Sequence, residues 1–319
     1  MNPPRASATV IVVGSANQDY IVRVAAPPGP GETVLAHSLL NQPGGKGANQ
    51  AVAAARLQSN VSFIASIGDD ADGAALLREL RSEGVDTSNV EIINRSRTGV
   101  ALVWVYDSGE NSITVIPGAN FHLTAERVDR SVERLTRDAG NAVVVVQAEL
   151  VTDIIVATVA AARRTGARAI LNLAPYQPLD GDTLSSCDPL VVNEAEASAL
   201  VGWKVTGAAG ATRAAEQLRG RTRSVVVTVG AEGACWADQS AAGHVPAPVV
   251  DRVVDTTGAG DAFVGALAAY LARGTTLQRA VEVGVFAGTF AVRSPGAQLS
   301  YPTATDLGVD ATAEPVSRG

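Results

Sequence analysis

Apolar residues follow two alternating rhythms along the chain. Short unbroken runs rich in Val, Ile and Ala occur at residues 9–13, 61–64, 142–146, 169–173, 190–192 and 224–229. They lack polar alternation, as expected of strands covered on both faces. Between them lie segments with helical spacing of apolar positions, at 47–57, 73–82, 125–136, 152–164, 194–201 and 209–219, with two more at 262–272 and 277–292. Strand and helix alternating in this way predict an α/β fold, a parallel sheet with helices on both faces. In such a sheet ligands sit beyond the carboxyl ends of the strands.

Two segments break the rhythm. Residues 19–40 hold the run Pro27-Pro28-Gly29-Pro30-Gly31 and no helix signal. Residues 98–117 read as two β runs, 100–106 and 112–116, around the turn Asp107-Ser108-Gly109-Glu110-Asn111, a hairpin pattern. Together they predict a small β excursion from the main sheet. The polar tail after Pro302 predicts a loosely held end.

Composition narrows the function. Of the 319 residues 46% are hydrophobic, enough for the core of a large α/β domain. The net charge of −7 argues against non-specific nucleic-acid binding. No apolar stretch approaches the ~20 residues of a membrane span, and no signal peptide is visible, so a cytoplasmic protein is expected. Two cysteines, Cys187 and Cys235, make no disulfide framework and read as reduced, buried thiols. Only Lys46 and Lys204 are lysines among 25 basic residues, so a lysine inside a glycine-rich motif stands out.

The densest chemistry lies in Asp255-Thr256-Thr257-Gly258-Ala259-Gly260-Asp261, which runs into an apolar helix-like segment. A small-residue turn opening a helix exposes N–H groups with no partner inside the helix, and with the helix dipole these form an anion site. A carboxylate beside it is a base beside a place that holds negative charge. That pairing suggests phosphoryl transfer to a hydroxyl. Gly44-Gly45-Lys46-Gly47-Ala48-Asn49 opens an Ala-rich helix. It is not a Walker A loop, since Leu40 and Gly47 stand where that pattern needs Gly and Ser or Thr. It offers Lys46 and Asn49 as donors to hydroxyls, although an ordinary helix start has the same composition. Asn17 and Asp19 share one side of an extended segment, suited to vicinal hydroxyls or to a plain strand exit. Glu149 ends a strand where ligands bind. Asn193 and Glu196 read both as a capping box and as neighbours of a phosphate–Mg²⁺ site. Thr228, Gly230 and Gly233 end another strand.

These motifs, taken together and in this order, resemble the PfkB family of carbohydrate kinases, in the form typical of its ribokinases, over roughly residues 8–302. The resemblance implies a single domain over 1–319: a three-layer α/β/α fold with a mainly parallel sheet, and a β-sheet lid formed by about 18–43 and 98–118. It implies ATP-dependent phosphorylation of D-ribose at O5. Asp261 would be the general base, and the backbone of Gly258, Ala259 and Gly260 the anion hole. Asn17, Asp19, Gly45, Lys46, Asn49 and Glu149 would bind the sugar. Asn193, Glu196, Thr228, Gly230 and Gly233, with Gly260, would serve ATP and Mg²⁺. A monovalent cation, K⁺ by family habit, would lie near Asp255, Thr257, Arg293, Gly296 and Ser300. A homodimer through the lid is expected. Alternatives are a kinase of deoxyribose, adenosine or another small sugar or nucleoside, and a non-catalytic sugar-binding regulator.

Overall fold

In chain order the computed structural model contains β1 (Thr9–Val13), β2 (Asn17–Val24), β3 (Ser38–Gly44), α1 (Lys46–Arg56), β4 (Asn60–Gly68), α2 (Ala71–Ser82), β5 (Val85–Ile93), β6 (Gly99–Tyr106), β7 (Asn111–Ile116), α3 (Ala125–Ala139), β8 (Ala142–Gln147), α4 (Thr152–Thr165), β9 (Arg168–Asn172), α5 (Gly181–Ser185), β10 (Leu190–Asn193), α6 (Glu194–Val201), α7 (Gly207–Leu218), β11 (Val225–Thr228), β12 (Ala234–Ala237), β13 (Ala242–Val245), α8 (Ala259–Ala272) and α9 (Leu277–Ala291). The structure describes residues 8–108, 110–139 and 142–308. The polar start of the chain, Gly109 in the expected hairpin turn, and residues 309–319 of the expected loose tail lie outside the described residues.

The six apolar runs form β11, β10, β9, β8, β1 and β4, adjacent strands of a nine-stranded sheet in the order β13-β12-β11-β10-β9-β8-β1-β4-β5. From β11 to β5 every pair is parallel, while β12 and β13 add antiparallel at one edge. Strand order reverses between β1 and β8, and at such a switch point the carboxyl edge opens a crevice. Alternate side chains of each inner strand enter different cores. Val10 and Val12 pack with residues of α1, α2, α8 and α9, whereas Ile11 and Val13 pack with those of α3, α4 and α7. Both faces are covered, which is why these strands show no polar alternation. Among the described residues no helix is long and apolar enough to cross a membrane.

The two segments outside the α/β rhythm build a separate four-stranded sheet, β3-β2-β6-β7. The expected hairpin is β6–β7, antiparallel from Val100↔Ile116 to Val105↔Asn111. Three strands of the large sheet have no counterpart among the apolar runs. β5 alternates buried and exposed residues at a sheet edge, and β12 and β13 are four residues each.

Helices α1 and α8 meet through small side chains. A Cβ placed on Gly265 of α8 would lie 2.5 Å from the Ala53 Cβ and 2.7 Å from the Gln50 carbonyl oxygen. Those are α1 atoms, and the carbonyl cannot step aside alone. A Gly265→Ala change gains about 1 kcal/mol of helix propensity. It loses about 1–3 kcal/mol to overpacking, and with backbone as the obstacle the loss prevails. We expect a lower urea midpoint with an unchanged m-value.

Candidate active site

The N-terminus of α8 is built on Gly258, whose φ of 76° is the left-handed conformation that glycine adopts freely. A side chain there would also strike the Tyr301 hydroxyl at 2.6 Å. The Ala259 amide donates to the Thr256 carbonyl at 3.2 Å. A Cβ on Gly260 would meet nothing within 4 Å, so space lies open in front of the helix start. One residue later Asp261 is buried in the first turn. Its Oδ2 accepts from Asn49 Nδ2 at 3.0 Å and its Oδ1 from Gln50 Nε2 at 2.9 Å. Asn49 Oδ1 accepts in turn from Gln298 Nε2 at 2.9 Å.

Asn17 and Asp19 lie at the start of β2, just after the chain leaves β1 of the main sheet for the smaller one. Asn17 pairs with Gly44 on one side and Gly99 on the other. Both glycines make room for side chains. A Cβ on Gly44 would come within 2.2 Å of the Asp19 carboxylate, and one on Gly99 within 2.2 Å of Asn17 Oδ1. Asn120 Nδ2 donates to Asn17 Oδ1 at 2.8 Å, and Asn120 Oδ1 accepts from the Ala16 amide at 2.9 Å. Asp19 Oδ1 is buried and has no hydrogen-bond partner among the described residues. Burial, then the nearby Glu149 and Asp261 carboxylates, push the Asp19 carboxyl up to about 7.

Gly45, with φ 86°, turns β3 into α1, and a Cβ there would meet the Asn17 amide nitrogen at 2.8 Å. Glu149 Oε2 accepts from the Lys46 amide at 3.0 Å and from Ser15 Oγ at 2.6 Å, leaving Oε1 outside both bonds. The Asp261 carboxylate, opposed by burial and assisted by Glu149 and Glu196, holds the Lys46 ammonium above its ordinary range. Lys46 thus lies in the field of three carboxylates.

Asn193 and Glu196 form the capping box: Asn193 Oδ1 accepts from the Glu196 amide at 2.9 Å and Glu196 Oε2 from the Asn193 amide at 2.8 Å. Burial raises the Glu196 carboxyl despite that bond and the Lys46 charge. Thr228 is the register neighbour of Asn193 at the ends of β10 and β11. Gly230 has φ 52° and open space around it, whereas Gly233 is demanded by packing, since its Cβ would meet the Val245 carbonyl at 2.0 Å. Asp255 Oδ1 accepts from the Thr257 amide and Oδ2 from the Gly296 amide, each at 2.9 Å. Burial works against these bonds, yet they hold the Asp255 carboxyl low. The carboxylate thereby ties the turn before α8 to the loop after α9. Arg293 is exposed on that loop, and Ser300 is buried with its hydroxyl donating to the Ala297 carbonyl at 2.7 Å. Among the described residues no group of three or more His, Cys, Asp or Glu side chains is poised to hold a metal ion.

The fold therefore gathers Asp19, Lys46, Asn49, Glu149, Glu196 and Asp261 at the carboxyl edge of the sheet. Sequence reasoning missed the amides around them: Gln50, Asn120, Gln147, Asn172 and Gln298, all buried. A glutamine amid alanines in a buried helix, or ending an all-valine strand, was the available signal.

A buried carboxylate beside an open helix N-terminus, with an unmet buried acceptor near it, is equipment for phosphorylating a small polyol. Comparison with known proteins agrees. Residues 7–304 match the family described as pfkB family carbohydrate kinase. The chain is 36% identical to a deoxyribokinase of Salmonella typhi over 296 residues, covering 92% of this chain and 95% of the relative. It is 34% identical to the ribokinase of Haemophilus influenzae over the same length and shares. The structure of Arabidopsis thaliana ribokinase complexed with ribose and ATP matches with a TM-score of 0.84 and 29% identity, over 94% of this chain and 97% of that one. The chain is a sugar kinase and belongs to the PfkB carbohydrate kinase family.

Proposed function

We propose that the protein transfers the γ-phosphoryl group of ATP to O5 of D-ribose, giving D-ribose 5-phosphate. The carrying observation is Asp19 Oδ1, buried and without a donor. Buried acceptors are rarely left unmet, and sugar hydroxyls are donors. Asn17 complements it, because its oxygen is taken by Asn120 and its N–H groups remain to donate. Gly45, Lys46, Asn49 and Glu149 complete the sugar site.

In the reaction the O5 hydroxyl gives its proton to Asp261 as its oxygen attacks the γ-phosphorus in line, and the bond from that phosphorus to the β-phosphate oxygen breaks, so that ADP leaves with the electron pair. The amides of Gly258 and Gly260, and that of Ala259 on exchanging the Thr256 carbonyl for the phosphoryl group, lie at the positive end of α8 and receive the charge that develops on the phosphoryl oxygens. Positioning and charge stabilisation supply most of the rate. Thr228, Gly230 and Gly233 border the nucleotide, with Asn193 and Glu196 beside its phosphates. Mg²⁺ takes few protein ligands and rests largely on phosphates, which fits one Glu196 oxygen outside the capping box. When bound, the ion neutralises phosphate charge. Backbone oxygens suit K⁺, and the loops of Asp255, Thr257, Arg293, Gly296 and Ser300, tied together by the Asp255 carboxylate, would hold it.

We read 1–319 as one domain and the four-stranded sheet, about 18–43 and 98–118, as a lid over the sugar. Leu39, Leu40, Ile113, Val115 and Ile116 stand exposed on it, a surface suited to the lid of a second copy in a homodimer. Dependence on ATP makes the cytoplasm the expected compartment.

A second reading, a deoxyribokinase, is favoured by the Salmonella relative. Removing the 2-hydroxyl leaves a buried partner unmet, at about 1–3 kcal/mol or roughly 5- to 150-fold in kcat/KM. Initial rates with ATP are expected to follow that ratio for D-ribose over 2-deoxy-D-ribose, with adenosine far behind. A deoxyribose preference overturns the first reading for the second, and adenosine preferred to both overturns both. Asp261→Asn should lower kcat by at least about 10²- to 10⁴-fold, while calorimetry still finds ribose binding. Near-normal turnover would remove Asp261 as the base.

Asp19 yields a pH prediction. With its carboxyl at about 7 in the fold and 3.8 as the reference, the folded state holds a proton that the unfolded chain releases between those values. Stability from this group is therefore lost as pH rises through that window. Asp19→Asn should raise the Tm of the ligand-free protein above pH 7 and not below pH 4. Hydroxyl donors favour the Asp19 anion, so KM for ribose should fall as pH rises from about 6 to about 8, and Asp19→Asn should abolish the trend. A flat wild-type KM would contradict this.

A further inference from the structure

We propose that Gln50 is a positioning residue for the Asp261 carboxylate, locked in one orientation by Gln147 and Asn172 at the edge of the large sheet. The inference rests on the reading of Asp261 as the base. Gln50 is 1% exposed at the start of the second turn of α1. Its Nε2 donates to Asp261 Oδ1 at 2.9 Å and to Asn172 Oδ1 at 3.0 Å, so both of its N–H groups are used. Its Oε1 accepts from Gln147 Nε2 at 2.7 Å.

Each amide in this chain can face only one way. Asn172 Nδ2 donates to the Val191 carbonyl at 3.3 Å, a group that only accepts, so Asn172 must turn its oxygen to Gln50. Turning Gln50 over would set its oxygen against the carboxylate and the Asn172 oxygen. Gln147 and Asn172 are register partners at the ends of β8 and β9. Gly14 leaves room for Gln147, since a Cβ there would lie 2.2 Å from Gln147 Oε1. The parallel sheet thus sets an amide relay that reaches the carboxylate without touching the sugar. It ties Oδ1 to the sheet edge. Oδ2, bonded among the described residues to Asn49 alone, is the oxygen left to take the proton. An orientation fixed before the substrate arrives needs no rearrangement during reaction.

Three variants and their pH–rate profiles test this, each protein first checked for a cooperative melt. Gln50→Glu keeps the shape but sets a second carboxylate against Asp261, so the acid limb of kcat should move up by at least about one pH unit. Gln50→Met removes the hydrogen bonds and should lower kcat by about 10- to 100-fold, with KM for ribose within about twofold of wild type. Gln147→Glu touches neither Asp261 nor the sugar. Its carboxylate has no N–H for Gln50 Oε1 and repels that oxygen, so the Gln50 amide loses the partner that locks it, and kcat should fall in the same way. Should Gln50→Met fail to fold, the limb of Gln50→Glu still reads the position. A wild-type limb and kcat in the folded variants would overturn the inference, as would a raised KM with unchanged kcat. Asp261→Asn separates the two failures. An inactive Asp261→Asn beside wild-type Gln50 variants sinks only the relay, whereas an active Asp261→Asn sinks the base itself.

Discussion

The Asp261 carboxylate is buried where α1 meets α8, and that one placement constrains the rest of the molecule. An ionised carboxylate left buried without donors would cost several kcal/mol. Two consecutive residues of α1, Asn49 and Gln50, supply donors to its two oxygens. They reach it only because the helices approach closely, with glycine at 265 against Ala53 and the Gln50 carbonyl. The start of α1 is in turn pressed against the end of β1. Cβ atoms on Gly14 and Gly47 would each enter the other's backbone, at 2.5–2.6 Å. Glycine at these positions is thus a packing demand that also brings Asp261 to the switch point of the sheet.

The second sheet supplies the other wall. Asn17 and Asp19 stand three and five residues beyond Gly14, already in β2 of that sheet, while β3 runs through Gly45 into α1. Both crossings fall at the same rim, so Asn17 and Asp19, proposed to face the sugar, and Asp261, the proposed base, belong to different layers joined by very short connections. The loop after α9 closes a third side. Gly296 donates to Asp255, and a Cβ on Gly296 would meet Gln42 Oε1 of β3 at 2.8 Å. Arg56 secures that loop from beneath, donating to the carbonyls of Gln298 and Tyr301 at 2.7 and 2.9 Å while paired with Glu83. Gln298 then reaches Asn49, so the loop that holds Asp255 also steadies a donor to the base.

What was legible in the sequence follows from burial on two sides. The six apolar runs became strands because both their faces are covered, and unbroken Val and Ile read clearly. β5, a polar-alternating edge strand, and the four-residue β12 and β13 carry too little signal. α8 begins at Ala259 rather than 262, because Gly258 in a left-handed conformation acts as its cap, and glycine-rich residues look unlike helix. In the site the charged groups stood out because their motifs are local. Gln50, Asn120, Gln147, Asn172 and Gln298 did not, since each is an uncharged amide whose partners lie far off in sequence. Asn49 and Gln298 are 249 residues apart, and Gln50 and Asn172 are 122 apart. Such partners are chosen by topology, and only a polar residue at an apolar position hints at them.

The central claim is that a base at the head of α8 acts on one particular hydroxyl of a sugar held between the two sheets. The most direct measurement is to let the protein consume ATP in the presence of D-ribose and read the product by proton–phosphorus correlation NMR. The account predicts a single phosphomonoester coupled to the C5 methylene protons. A phosphate coupled to the C1 proton or to another ring carbon would contradict it, and so would ATP left intact.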